Sequence, residues 1–263
     1  MVLKWFTGRL RPNPVQALAQ PAGWTPEGTR IYAIGDIHGR ADLLARMYQA
    51  IADDVAENAP ASNVHVVLLG DLVDRGLHSR AVVELAMQPP LALPGLTHTV
   101  LMGNHEQLLL DFHADGRGAE LWLEQGGMAT LASYDCQLPM GSLSKQQAAR
   151  LHIEFRERLP QRHALFLAQC PKQLLLGDYL FVHAGIRPGR PLDRQTDTDR
   201  LWIREPFLNN PGPFEKIVVH GHNITSQPDQ HPHRIGIDTG AYATGILSAV
   251  ILEQNTCRFL QVN

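Results

Sequence analysis

The sequence predicts an α/β fold: a parallel sheet covered by helices, a helical insert, and a second, β-rich part packed on the first. Three observations predict it. Apolar runs of strand length alternate with amphipathic stretches over the first hundred residues. The stretch from about 105 to 170 carries helix patterning. The last third turns to short apolar strands joined by tight turns, and this order of elements is that of an α/β chain.

The elements follow in order. Residues 30–34 (RIYAI) read as a buried strand, and Leu43, Met47, Ile51 and Val55 form a helix stripe at i, i+4 spacing. Residues 64–69 (VHVVLL) are a second strand. Ser79 is expected to cap a helix that runs to about Gln88, before Pro89 and Pro90. Residues 97–102 are the third strand. Strand-helix-strand-helix-strand order favours parallel pairing. Ser144 and Gln147 fit a capping box ahead of AARLHIEFRERL. QLLLGDYLFV reads as a hairpin around Gly177-Asp178. Strands are expected at 216–219, 233–237, 246–252 and 257–262.

Composition narrows the class. With 44% hydrophobic and 19% charged residues in 263, the chain is neither disordered nor collagenous nor a coiled coil. Lys plus Arg number 23 against 26 Asp plus Glu, a formal charge of -3. That balance supplies no broad basic surface, so no stable nucleic-acid partner is expected. No run reaches the ~18 apolar residues of a membrane helix, and no membrane partner is expected. Cys136, Cys170 and Cys257 are too few and too scattered for a disulfide framework or a zinc knuckle. Reduced, buried thiols in a cytoplasmic protein are the expectation. Residues 1–29, broken by Pro12, Pro14, Pro21 and Pro26, are read as an N-terminal arm rather than a secretory leader. Residues 30–263 are read as a single catalytic domain, with the helical insert at about 105–170.

Polar clusters sit just after the predicted strands: Gly35-Asp36-Ile37-His38-Gly39, Gly70-Asp71-Leu72-Val73-Asp74-Arg75-Gly76, Gly103-Asn104-His105-Glu106, His183-Ala184-Gly185 and His220-Gly221-His222. In open α/β sheets, ligands bind outside the carboxyl ends of the strands. One such cluster alone reads as a turn or a helix cap. Five in order converge on one site. Asp36, His38, Asp71, Asn104, His183 and His222 form an oxygen and imidazole donor set without thiolate, suited to Mn²⁺, Fe or Zn²⁺. Six donors exceed the needs of one four-coordinate ion and fit two ions if one carboxylate bridges. Two such ions can clamp an in-line displacement at phosphorus.

GDIHG, GDLVDRG, GNHE, HAG and HGH together resemble the phosphoprotein phosphatase family of calcineurin-like metallophosphoesterases. The likeness is greatest to bacteriophage lambda phosphatase and small bacterial serine/threonine phosphatases. It extends to LWLEQGG (121–127), LWIRE (201–205) and IDTGA (237–241). The resemblance implies a metallophosphoesterase-type β-sandwich of two mixed sheets flanked by helices. It implies that Asp36 and His38 hold a first metal, that Asp71 bridges, and that Asn104, His183 and His222 complete a second. Two divalent ions are expected, Mn²⁺ first among Mn²⁺, Fe and Zn²⁺. His105 would be the general acid, Asp74 would orient it, and Arg75 and Arg204 would bind phosphate oxygens. A hydroxide between the metals would attack phosphorus directly, without a phosphoenzyme.

The expected substrate is a protein phosphorylated on serine or threonine, with phosphotyrosine as a further case. The alternative is a nucleotide phosphoanhydride, such as diadenosine tetraphosphate or a nucleotide-capped RNA. Relatives that cleave symmetrical dinucleotides commonly have Gln where His38 stands, which favours the phosphoprotein. A metal-bound but silent binding module is disfavoured by the intact Asp74, Arg75 and His105. Met102 precedes GNHE where many members have arginine, and Asn223 stands where Thr often follows GH.

Several neighbours have plainer readings. His220 competes with His222, two residues on in an extended segment, and is assigned a nearby supporting place. Glu106 is read as a helix N-terminal charge, His65 as structural, His231 and His233 as solvated. Asp238 is expected to fix a turn. Arg150, Arg156, Arg158 and Arg162, interleaved with Glu154 and Glu157, read as a solvated helix face. Leu121, Trp122 and Trp202 are expected in the core.

Overall fold

A computed structural model describes residues 23–58, 62–88, 90–93, 95–139 and 144–263. Residues 1–22 of the expected N-terminal arm, and Pro89, lie outside the described residues.

The first sheet is ordered β10-β9-β1-β2-β3. Here β1 is Thr29–Ile34, β2 Asn63–Leu68, β3 Leu96–Val100, β9 Leu247–Glu253 and β10 Thr256–Val262. The three early strands pair in parallel, and β9 and β10 close that edge antiparallel. The crossovers are α1 (Ala41–Glu57) and α2 (Ser79–Ala86). The second sheet is ordered β4-β5-β6-β8-β7. It is built from β4 (Gln173–Leu176), β5 (Tyr179–Val182), β6 (Ile217–His220), β7 (Asp229–Gln230) and β8 (Arg234–Gly236). The expected 177–178 hairpin joins β4 to β5, whereas β5-β6 and β6-β8 are parallel.

Period-two alternation explains the layering. Ile31, Ala33, Val67, Val250 and Leu252 face Tyr179, Phe181, Ile217, Val219 and Ile235 to form the core between the sheets. The intervening Tyr32, Ile34, Val66 and Leu68 turn outward onto Leu44, Met47 and Ile51 of α1 and Val82 and Val83 of α2. Leu180, Val182 and Val218 cover Ile186, Ile203 and Phe207 on the far side. The chain is thus two mixed sheets packed face to face and flanked by helices, as expected.

The helical stretch comprises α3 (Asn104–Asp115), α4 (Ala119–Trp122), α5 (Met128–Ser133), α6 (Lys145–Arg158) and α7 (Gln161–Gln169). A kink at Gly126, whose φ of 110° is not helical, separates α4 from α5. The capping box at α6 is formed: Gln147 N donates to Ser144 Oγ, and Ser144 N donates to Gln147 Oε1.

Two expectations change. Ser79 is the first residue inside α2 and not its cap; its hydroxyl instead accepts from Asp74 N at 3.1 Å. Leu121 is exposed, because a helix of one turn shows one side to solvent, while Trp122 beside it is fully buried. The three cysteines are free and buried, as expected.

Candidate active site

Every cluster named from the sequence lies at the carboxyl end of a strand, where the edges of both sheets meet. β1 delivers Asp36 and His38, β2 delivers Asp71, Asp74 and Arg75, and the start of α3 delivers Asn104 and His105. β5 delivers His183 and β6 delivers His222. Asp36, His38, Asp71, Asp74, Asn104, His105, His183 and His222 are all buried.

Tight turns aim these side chains. His38, Asp71, Asp74, Arg75 and His222 all have φ between 45° and 72°, in the left-handed region. That region is unusual for residues other than glycine, and such outliers gather at functional sites. Gly221 lets the chain pass close to Asp36: a Cβ there would lie 2.0 Å from Asp36 Oδ1.

Asp71 is the centre of the arrangement. Its Oδ2 lies 3.4 Å from His38 Nε2 and 3.8 Å from His105 Nε2. Its Oδ1 lies 3.4 Å from His183 Nε2. Each oxygen of one carboxylate thus faces a different set of imidazoles. Two groups, His38-Asp71-His105 and Asp71-His183-His222, bring their donor atoms within 4.8 Å. Asn104 Oδ1 is 2.8 Å from His183 Nε2, and His222 Nδ1 is 3.2 Å from it. Asp36 belongs to neither three-residue group; its carboxylate accepts from His222 N at 3.0 Å.

The tautomers show what such a cluster requires. His183 Nδ1 donates to the Leu69 carbonyl at 3.0 Å, and His38 Nδ1 donates to the Val73 carbonyl at 2.8 Å. A carbonyl only accepts, so the proton sits on Nδ1 and each Nε2 presents a lone pair. Those lone pairs face the Asp71 carboxylate and the Asn104 carbonyl oxygen. His38 Nε2 has no hydrogen-bond partner among the described residues. Acceptors facing acceptors in a buried site repel one another unless a cation lies between them. Burial pushes His38 down to about 3 and lowers His183, so both imidazoles stay neutral and able to ligate.

The carboxylates add to this. Asp36, Asp71, Glu106 and Asp238 are buried together. Burial, then the charges of Asp238 and Asp71, pushes Asp36 well above its ordinary value. Burial and the Asp71 charge push Glu106 up to about 7. Burial raises Asp238 to about 6. The donor set and its crowded negative charge fit divalent cations.

A second group adjoins the first. His105 Nδ1 donates to Asp74 Oδ2 at 2.6 Å. Its Nε2 points to the Asp71 side and lies 3.2 Å from Arg75 Nη2. Burial alone would lower His105; the Asp71 charge and the Asp74 hydrogen bond reverse that and raise it. Arg75 lies over the Tyr242 ring, 4.8 Å from its centroid. Arg204 is exposed, and its Nη1 donates to Asn223 Oδ1 at 2.9 Å. Asn223, a departure from the family pattern, is therefore the residue that holds Arg204. Met102 turns into the core and brings no charge to the site.

Other neighbours take the following places. Glu106 does more than supply a helix N-terminal charge: its carboxylate accepts from Gly103 N, Asp71 N, Leu72 N and Val73 N. Gly103 N donates to Glu106 Oε2 at 2.9 Å, the half of a capping box that needs no side chain on the cap residue. His220 turns away from the metal groups onto Phe207. The left-handed φ of 64° at His222 breaks the alternation that would have put both imidazoles on one side. Asp238 Oδ1 accepts from Gly240 N, which is the expected turn. His231 is exposed, with Nε2 2.8 Å from Asp229 Oδ1.

Comparison with known proteins gives the family and the fold. The family model for the calcineurin-like phosphoesterases matches residues 29–245. Serine/threonine-protein phosphatase 1 of Salmonella typhimurium is 28% identical over 244 residues, covering 91% of this chain and 97% of the relative. The asymmetrical bis(5'-nucleosyl)-tetraphosphatase PrpE of Oceanobacillus iheyensis is 27% identical over 237 residues, covering 84% and 87%. Among solved structures, a cold-active protein tyrosine phosphatase superposes with a TM-score of 0.57 at 18% identity, over 88% of this chain and 77% of that one.

Proposed function

We propose that this chain, which belongs to the calcineurin-like phosphoesterase family, is the metal-dependent phosphatase of that family that hydrolyses phosphoserine and phosphothreonine in proteins, with phosphotyrosine as a further substrate. The observation that carries the reading is Asp71, whose two oxygens face two separate sets of imidazoles. Asp36, His38 and Asp71 would hold one divalent ion, and Asp71, Asn104, His183 and His222 the other. Once bound, the ions would supply Lewis acidity and lower the pKa of water at the site. Mn²⁺ suits the mixed oxygen and imidazole donors.

The remaining chemistry belongs to the chain. Arg75 presents a planar guanidinium to the oxygens of the phosphoryl group. Arg204, held by Asn223, would add a second. His105 gives the Nε2 proton to the leaving oxygen as that oxygen takes the electron pair of the breaking P–O bond. Asp74 keeps the other ring proton on Nδ1, so that Nε2 is the nitrogen aimed at the site. In the structure Arg75 Nη2 donates to His105 Nε2 at 3.2 Å; protonation of that nitrogen makes both groups donors, an arrangement that an anionic oxygen satisfies.

The relatives' names support both a phosphoprotein and a dinucleotide substrate. His38, in place of the glutamine common in symmetrical dinucleotide hydrolases, disfavours that class; the asymmetrical relative keeps dinucleotide cleavage as the second reading. The test is turnover by metal-stripped, Mn²⁺-reconstituted protein on three substrates. These are a phosphothreonine peptide, a phosphotyrosine peptide and diadenosine tetraphosphate. Faster metal-dependent phosphate release from the peptides is the expected result. Faster cleavage of the dinucleotide overturns the substrate assignment and leaves the metal reading standing.

A further inference from the structure

LWLEQGG at 121–127 resembles the family, yet the chemistry above gives it no task. It lies in the helical stretch, outside both metal groups. The contacts of Asp74 supply its task. Asp74 is fully buried. Its Oδ2 accepts from His105 Nδ1 at 2.6 Å and also from Trp122 Nε1 at 2.9 Å. Its Oδ1 accepts from Thr130 Oγ1 at 2.6 Å. The Asp74 backbone N donates to Thr130 Oγ1 at 2.9 Å and to Ser79 Oγ at 3.1 Å.

We propose that Trp122 and Thr130 are positioning residues for proton transfer: they fix the Asp74 carboxylate so that His105 aims its Nε2 at the leaving oxygen. The proposal rests on the general-acid reading of His105. Its basis is geometric. A carboxylate with one partner rotates about its Cβ–Cγ bond. Three donors from three directions leave it one orientation. The indole N–H cannot accept and the Thr130 hydroxyl donates to Asp74, so neither competes with Asp74 for the ring proton.

The same segment also holds Arg75. Gly126 has φ 110°, and its carbonyl accepts from Arg75 N at 3.2 Å. A Cβ at residue 126 would meet Arg75 N at 2.8 Å. The kink at Gly126 therefore lets one short piece of chain place an indole against Asp74 and a carbonyl against Arg75. Trp122 is itself fixed by Phe112 and Phe155, with ring centroids at 4.8 Å and 5.6 Å. Residues remote from the metals thus set the pose of the acid and of the phosphate-binding arginine. A loss of that pose of the order of 1 Å is enough to cost rate.

The test compares leaving groups, because general-acid help matters most where the leaving oxygen needs a proton. Trp122→Phe keeps the ring and removes the N–H; Thr130→Val keeps the shape and removes the hydroxyl; Thr130→Ser retains it. Each is assayed with 2,4-dinitrophenyl phosphate, whose leaving group departs as the anion, and with phenyl phosphate, whose leaving group does not. His105→Asn is the reference. Trp122→Phe and Thr130→Val are expected to lose about tenfold more kcat on phenyl phosphate than on the dinitrophenyl ester. Bound metal should be unchanged, and Thr130→Ser should recover most of the loss. Equal losses on both esters in these variants, with a clear difference in His105→Asn, would overturn the positioning role alone. Equal losses in His105→Asn as well would overturn the general-acid reading and the proposal with it.

Discussion

Seven non-glycine residues of the described chain have positive φ, and five of them are His38, Asp71, Asp74, Arg75 and His222. Each such torsion costs of order 1–3 kcal/mol, and the surrounding structure must hold it in place. Here hydrogen bonds to the Val73 carbonyl, to the Glu106 carboxylate and to the Thr130 hydroxyl do so. Strain gathered in the turns that carry the ligands and acid groups marks where function is exerted. Two substitutions separate their tasks. His105→Asn should lower kcat by roughly 10²–10⁴-fold and leave bound metal unchanged, which elemental analysis beside a rate assay would show. Asp71→Asn should lose metal, because the one carboxylate facing both imidazole sets gives up its charge. The candidate site was largely legible at this scale: all ten named residues lie at or beside one cluster. Arg204 needed Asn223 to be understood. The Trp122 and Glu106 contacts were not legible, because a hydrogen bond between residues 48 apart, or 35 apart, leaves no local pattern in the sequence.

At the level of elements, the strand ends are tied together by α3. Glu106 in its first turn accepts four backbone N–H groups from the loops after β2 and β3. Glu106→Ala would leave these donors buried and unpaired. It should destabilise the protein by about 3 kcal/mol, as measured by urea unfolding, and weaken metal binding with it. In the short helix Asp197–Trp202 that follows β5, Asp199 accepts from Thr196 and from Arg187 and pairs with Arg190. Burial opposes its ionisation, but those donors hold it down to about 2, against an ordinary value of 3.8. A carboxylate depressed by folding stabilises the native state above its unfolded pKa, and that contribution is lost as pH falls through the folded value. Parent and Asp199→Asn should therefore differ in stability at neutral pH and converge between about pH 4 and pH 2. Element types were read well because β1, α1, β2 and α6 carry clean periodicity. The shorter pieces, α4 and the two-residue β7, were not foreseen, since one turn or one bridge is too short to show a period. The Ser79 expectation failed for a related reason. A serine before an apolar helix reads as a cap, but here its hydroxyl serves Asp74 instead.

For the molecule as a whole, two sheets with opposite outer coverings bring the five strand-end clusters to one edge, and the buried negative charge gathers there. No helix among the described residues is long and apolar enough to cross a membrane. If cations offset the repulsion among Asp36, Asp71, Glu106 and Asp238, their removal should cost stability. Ligand linkage is worth about 2.7 kcal/mol when the free ion is at 100 times its Kd. Chelation should therefore lower Tm, and Mn²⁺ should restore it. The overall architecture could be read from sequence because its two halves differ in patterning; the pairing of β9 with β1 could not, since those strands are more than two hundred residues apart. The most direct test of the account is the metal content of the active protein, measured on stripped chains reconstituted with Mn²⁺ and freed of excess ion. The account predicts two ions per chain, with phosphate release rising as they bind and failing in Asp71→Asn. Full phosphate release from chains holding no metal, or two ions retained in Asp71→Asn, would contradict it.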